Sequence, residues 1–94
     1  MSLNNQNYYT FIDHKTPPIV FIHGVGLDRN MWKPQIDFFK KNSTLTYDLL
    51  GHGKSSFTGE KINIEDYVKQ LDTLTKNLKI DKFHLVGFSI GSLI

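Results

Sequence analysis

Four large apolar side chains stand in succession at Ile19-Val20-Phe21-Ile22, with no polar residue at alternate positions. Successive side chains of a strand point to opposite faces, so an unbroken apolar run needs cover on both sides. Helices supply that cover in a parallel sheet, which makes this segment the best candidate for a central strand. The run is a strand's length and far too short to cross a bilayer.

The rest of the chain can be read around that strand. Tyr8 to Ile12 is aromatic and β-branched and predicts an early strand, broken by the turn Asp13-His14-Lys15-Thr16-Pro17-Pro18. Thr44 to Asp48 predicts the next strand, and Lys82 to Gly87 a third inner one. A helix is expected from about Arg29 to Lys41, capped by Asp28, with Pro34 near its first turn. Met31, Ile36 and either Phe38 or Phe39 would face inward from it. A second helix is expected after Asn63 as cap, with Glu65 and Asp66 where carboxylates meet the helix dipole favourably. Ile64, Tyr67, Val68, Leu71, Leu74 and Leu78 fall at helical spacing and predict one core stripe.

Strand, helix, strand, helix, strand implies right-handed crossovers and an α/β fold, a three-layer α/β/α sandwich with a mostly parallel sheet. No internal repeat and no linker divides the chain, so residues 1–94 read as part of a single domain. The helix that Ile90 begins has too few turns and no stop signal before Ile94, so the expectation is a domain truncated after Ser89. The strand before Ser89 is apolar enough to want a neighbour on each side. At an open edge it would offer unpaired backbone groups to another chain.

Composition narrows the function classes. Hydrophobic content of 39% and charged content of 21% are ordinary for a soluble domain. Eleven Lys and Arg against nine Asp and Glu give a net charge of +2, scattered along the chain, which argues against nucleic acid as a partner. The polar stretch Met1 to Asn7 lacks the basic and apolar regions of a secretory signal, so a cytoplasmic address and no membrane association are expected. There is no cysteine, and no set of side chains has metal-ligand spacing; neither metal nor cofactor is expected.

Chemistry concentrates at two glycine-rich junctions that follow predicted strands. Gly87-Phe88-Ser89-Ile90-Gly91 has the Gly-x-Ser-x-Gly pattern of a sharp strand-to-helix turn that pushes a serine hydroxyl out of the sheet. Such a turn holds its central residue in a sparsely populated backbone conformation, at about 1–3 kcal/mol of strain. Gly87 and Gly91 leave room where strand and helix pass close together. The N–H of Ile90, at a helix start, is placed to donate to an oxyanion. The pattern also reads as an ordinary glycine and serine turn; its position after a buried strand favours the catalytic reading of Ser89. His23-Gly24-Val25-Gly26 likewise follows a strand, and its glycines let backbone amides approach a ligand, whereas His23 itself reads as structural.

Two look-alikes fail. Gly51-His52-Gly53-Lys54-Ser55 resembles the end of a phosphate-binding loop, yet the position of the first glycine is Asp48, whose carboxylate repels phosphate, and Ser56-Phe57-Thr58-Gly59 does not start the required helix. Gly24-x-Gly26-x-x-Arg29 misses the third glycine of a dinucleotide fingerprint. Nucleotide binding is disfavoured.

Taken together, Phe21 to Gly26, Asp48 to Ser55 and Gly87 to Gly91 resemble the α/β-hydrolase superfamily, in order and across nearly the whole chain. His23 to Trp32 is especially similar to its small carboxylesterase and enol-lactonase branch. The resemblance implies Ser89 as nucleophile, the backbone amides of Val25 and Ile90 as oxyanion hole, and a small-molecule acyl substrate. Serine rather than aspartate at position 89 disfavours the dehalogenase and epoxide-hydrolase branches. Asp48 to Ser55 corresponds to a loop that shapes the site without catalysing, with Leu50 where many members carry arginine. The family's acid and histidine follow the serine, whereas His14, His23, His52 and His84 all precede it. The chain by itself is therefore expected to be inactive. Ester or lactone hydrolysis is the leading expectation, with C–C cleavage and perhydrolysis open. A ligand-binding sensor on the same fold and a non-functional truncation are the alternatives, and nothing in the sequence sets an oligomeric state.

Overall fold

The computed structural model describes residues 7–55 and 61–94. Ser56 to Gly59, expected as loop, falls outside the described residues. Strands β1 (Tyr9–Ile12), β2 (Ile19–Ile22), β3 (Thr44–Tyr47) and β4 (His84–Gly87) form one sheet in the order β1-β3-β2-β4. β2 is parallel to both β3 and β4, and β1 closes the far side antiparallel to β3. The sheet is thus mostly parallel, and β2 lies inside it.

The alternation along β2 separates two layers. Val20 and Ile22 join Leu45 and Tyr47 beneath Tyr67, Leu71 and Leu74 of helix α2 (Ile64–Asn77). Phe21 points the other way, with its ring 5.0 Å from Trp32 and 6.5 Å from Phe39. Helices therefore cover both faces, which is why this strand has no polar position. Each fully buried aliphatic side chain contributes about 1.5–3 kcal/mol.

Three expectations need correction. The helix after Asp28 is shorter than Arg29 to Lys41: a 3₁₀ turn at Arg29–Trp32 is followed by α1 (Lys33–Phe38). Pro34 has no N–H to continue the ladder and instead sits in the first turn of a new helix. Asp28 does cap the turn, accepting from the Asn30 N–H at 2.8 Å. Phe39 packs inward, while Phe38 is 81% exposed. The stripe on α2 is only partly core, because Ile64 and Val68 stay exposed. Val68, Leu71, Thr75, Ile80 and Phe83 border a groove of about 380 Å³. Finally, among the described residues β4 lies at the edge of the sheet, where an inner strand was expected, and all four of its residues are exposed. The cap of α2 is as expected: the Asn63 side chain accepts from the Asp66 N–H, and the Asp66 carboxylate from the Asn63 N–H, both at 2.9 Å.

Candidate active site

The register of β2 and β4 decides which loops meet. Ile22 stands opposite Gly87, so both parallel strands end at the same level and both glycine-rich junctions leave the sheet side by side. The Phe88 N–H extends the ladder by donating to the Ile22 carbonyl at 3.0 Å. From there the chain turns into a 3₁₀ segment, Ser89–Leu93, with Ser89 at its start. This short turn stands where a helix from Ile90 was expected. Ile90 and Ile94 pack against the core under α2.

Ser89 has φ of 57°, in the left-handed region that a residue with a Cβ adopts only at a cost. The neighbouring elements hold it there. A Cβ on Gly91 would stand 2.6 Å from the Ile22 carbonyl oxygen and 3.0 Å from that of His23, so only glycine lets the turn cross the end of β2. A Cβ on Gly24 would stand 3.0 Å from the Phe88 ring and 3.4 Å from its carbonyl oxygen, so the His23 to Gly26 loop lies directly against the residue before Ser89. Gly87 ends β4, and Gly26 turns the loop with φ of 80°. Ser89 is exposed.

Val25 is also exposed, and among the described residues no acceptor takes its N–H. In the 3₁₀ segment the Gly91 N–H donates to the Phe88 carbonyl at 3.0 Å, and Ile90 lies in the turn that this bond closes. Two backbone segments rich in N–H groups thus flank the serine, one from each junction.

His23 is fully buried and has no capacity left for proton transfer. Its Nε2 accepts from the Leu49 N–H at 2.9 Å, and its Nδ1 lies 2.7 Å from the Gly24 carbonyl. Burial pushes its pKa below the ordinary imidazole value, opposed mainly by the Gly24 hydrogen bond. His14 and His84 lie at the other end of the sheet: the His14 N–H donates to Ser43 Oγ just before β3, and His84 pairs with Ile19 at the start of β2. The His52 ring lies 5.3 Å from the His23 ring, tilted 55° to it, and its Nδ1 lies 3.0 Å from the Leu50 carbonyl.

Asp48 organises the loop after β3. Its buried carboxylate accepts from the Arg29 N–H at 2.7 Å, from the Arg29 guanidinium at 3.0 Å and from the Lys54 N–H at 2.9 Å. Sequence reasoning missed Gln70, which holds the same loop from α2. Its side chain donates to the Asp48 carbonyl at 2.9 Å and accepts from the Leu50 N–H at 3.1 Å. The signal was there: Gln70 is a long polar side chain on the face shared by Tyr67, Leu71 and Leu74. Among the described residues no three His, Asp or Glu side chains gather closely enough to hold a metal ion, and no helix is long and apolar enough to cross a membrane.

A family profile described as the alpha/beta hydrolase fold matches residues 17–94. The chain is 34% identical over 92 residues to the (E)-2-((N-methylformamido)methylene)succinate hydrolase of Acinetobacter baylyi, covering 97% of this chain and 35% of that protein. It is 35% identical over 78 residues to 3-oxoadipate enol-lactonase 1 of the same organism, covering 82% of this chain and 29% of the relative. The enol-lactonase structure from Burkholderia xenovorans superposes with a TM-score of 0.83 at 31% identity, over 95% of this chain and 35% of that one. The chain thus spans about a third of the length of these relatives. Its sheet order, its glycine junctions and these likenesses agree: the chain belongs to the alpha/beta hydrolase fold family.

Proposed function

We propose that this chain carries the nucleophile and oxyanion hole of a serine hydrolase acting on carboxylic esters, lactones or related acyl bonds. The observation that carries this reading is the strained Ser89, φ 57°, at the end of a parallel strand and beside the loop that leaves its neighbour. In the reaction a base takes the hydroxyl proton and Oγ bonds to the acyl carbon. The carbonyl oxygen becomes an oxyanion held by the Val25 and Ile90 N–H groups. Collapse expels the alcohol or enol, which takes the proton, and leaves an acyl-serine. Water then adds by the same route in reverse, releasing the acid and restoring Ser89. The relatives named as a hydrolase and as enol-lactonases support this substrate class.

None of the four histidines is placed to act as base, since two lie at the far end of the sheet and two are engaged around Leu49 and Leu50. In the mechanism proposed here the base and its orienting acid come from beyond these residues, so the 94-residue chain alone is inert toward esters. A fluorophosphonate probe tests the assignment on the complete gene product carrying this sequence. Attack by Oγ expels fluoride and leaves a phosphonyl ester, and mass spectrometry should find that adduct on the Ser89 peptide. An active protein labelled elsewhere, with Ser89 unmodified, overturns it.

A further inference from the structure

The buried His23 carries a consequence for the neighbouring peptide group. A backbone amide can only donate, so the Leu49 N–H at 2.9 Å requires Nε2 to be the bare nitrogen. The ring proton is then on Nδ1, which donates to the Gly24 carbonyl at 2.7 Å. That carbonyl also accepts from the Leu27 N–H at 3.2 Å, so it is fixed from two sides. The Gly24–Val25 peptide is trans, and in a trans peptide the C=O and the following N–H point in opposite directions. Holding the carbonyl against the imidazole therefore turns the Val25 N–H away from it. Gly24 meanwhile rests against Phe88, next to Ser89.

We propose that His23 is a positioning residue for the oxyanion hole: it fixes the Gly24–Val25 peptide so that the Val25 N–H faces the reacting carbonyl oxygen, and the Leu49 amide selects the tautomer that makes this possible. This rests on the reading of Val25 as an oxyanion donor. It links the loop after β3, which has no catalytic part in this scheme, to the barrier of the acyl-transfer step through one ring. A second proton on that ring would set two donors, Nε2–H and Leu49 N–H, against each other and break the link. The charged and titratable groups facing the ring are His52, 5.3 Å away centre to centre, and the carboxylates of Asp48 and Asp28.

Two measurements test it. In the ¹⁵N-labelled chain, long-range proton–nitrogen spectra should show one of the four histidines as a neutral ring protonated only at Nδ1 and unchanged across pH 7 to 8, assigned to His23 by its loss in His23→Asn. The opposite tautomer, or a charged ring, overturns the proposal without reference to turnover. In the active gene product, His23→Phe should lower kcat about 10²-fold with KM within about twofold, the size of effect seen when one oxyanion donor is lost. His23→Asn, whose amide N–H can reach the Gly24 carbonyl, should recover activity to within about tenfold of the wild type. Equal losses in both variants, or a loss carried by KM, mean that His23 only supports the fold. Ser89→Ala run in parallel separates this from the hydrolytic reading, because its failure to reduce activity removes the serine mechanism while the tautomer result is unaffected.

Discussion

The Ile22 carbonyl oxygen lies where a Cβ on Gly91 would have to be accommodated at 2.6 Å. No side chain can yield at that contact, because the obstacle is the backbone of the central strand. Gly91→Ala should therefore push the turn off the end of β2 and cost about 1–3 kcal/mol, the range for overpacking a tight site. Urea unfolding measures the loss, and the Phe88 amide, bonded to the same carbonyl, should lose hydrogen-exchange protection with it. A neutral substitution would show that the turn is free to move.

The Asp48 carboxylate is fully buried and meets three donors from two segments. Asp48→Ala removes all three acceptor contacts and leaves the partly buried Arg29 guanidinium without its partner. Breaking a buried pair from one side costs about 3–5 kcal/mol, and the same loss is expected here by urea unfolding. A cost under about 1 kcal/mol, typical of surface pairs, would place the pair in solvent.

Gln70→Leu keeps the side chain's bulk but leaves the Leu50 N–H and the Asp48 carbonyl without partners. At about 1–3 kcal/mol for each buried polar group left unsatisfied, the two groups together should cost at least about 2 kcal/mol. Faster exchange of the Leu50 amide should accompany it.

His23 sets a pH dependence. Its folded-state pKa lies below the ordinary value of 6.5, so the unfolded chain binds a proton more readily. Stability is then full above that ordinary value and falls as pH drops below it, levelling once the folded-state value is passed. One proton gives a slope of up to about 1.4 kcal/mol per pH unit. The stability from urea unfolding should fall as pH drops from about 7 to about 5, by no more than that slope, and His23→Asn should remove this ring's share of the fall. A pH-independent difference between the two proteins would contradict the buried neutral ring.

Much of this arrangement was legible from residue order. An unbroken apolar run at Ile19 to Ile22 could only be covered on both faces, and Asn63 with Asp66 announced the start of α2. The position of β4 was not legible, because Leu85 and Val86 look the same in sequence whether their strand is flanked on one side or two. Nor was the break at Pro34, since proline fits a first turn as readily as it ends a helix. Ser89 and the two glycine junctions were visible as motifs. The tether through His23 and Leu49 was not, because it joins residues 26 apart by a side chain whose partner is a backbone group.

The hydroxyl of Ser89 is the group on which the proposed reaction depends. Steady-state hydrolysis of a short acyl ester or an enol-lactone by the complete gene product, compared with Ser89→Ala, addresses it directly. Loss of an activated serine should lower kcat by about 10⁴-fold or more, leaving only the residual rate that an oxyanion hole sustains. Hydrolysis that continues undiminished in Ser89→Ala would show that another group attacks the acyl carbon.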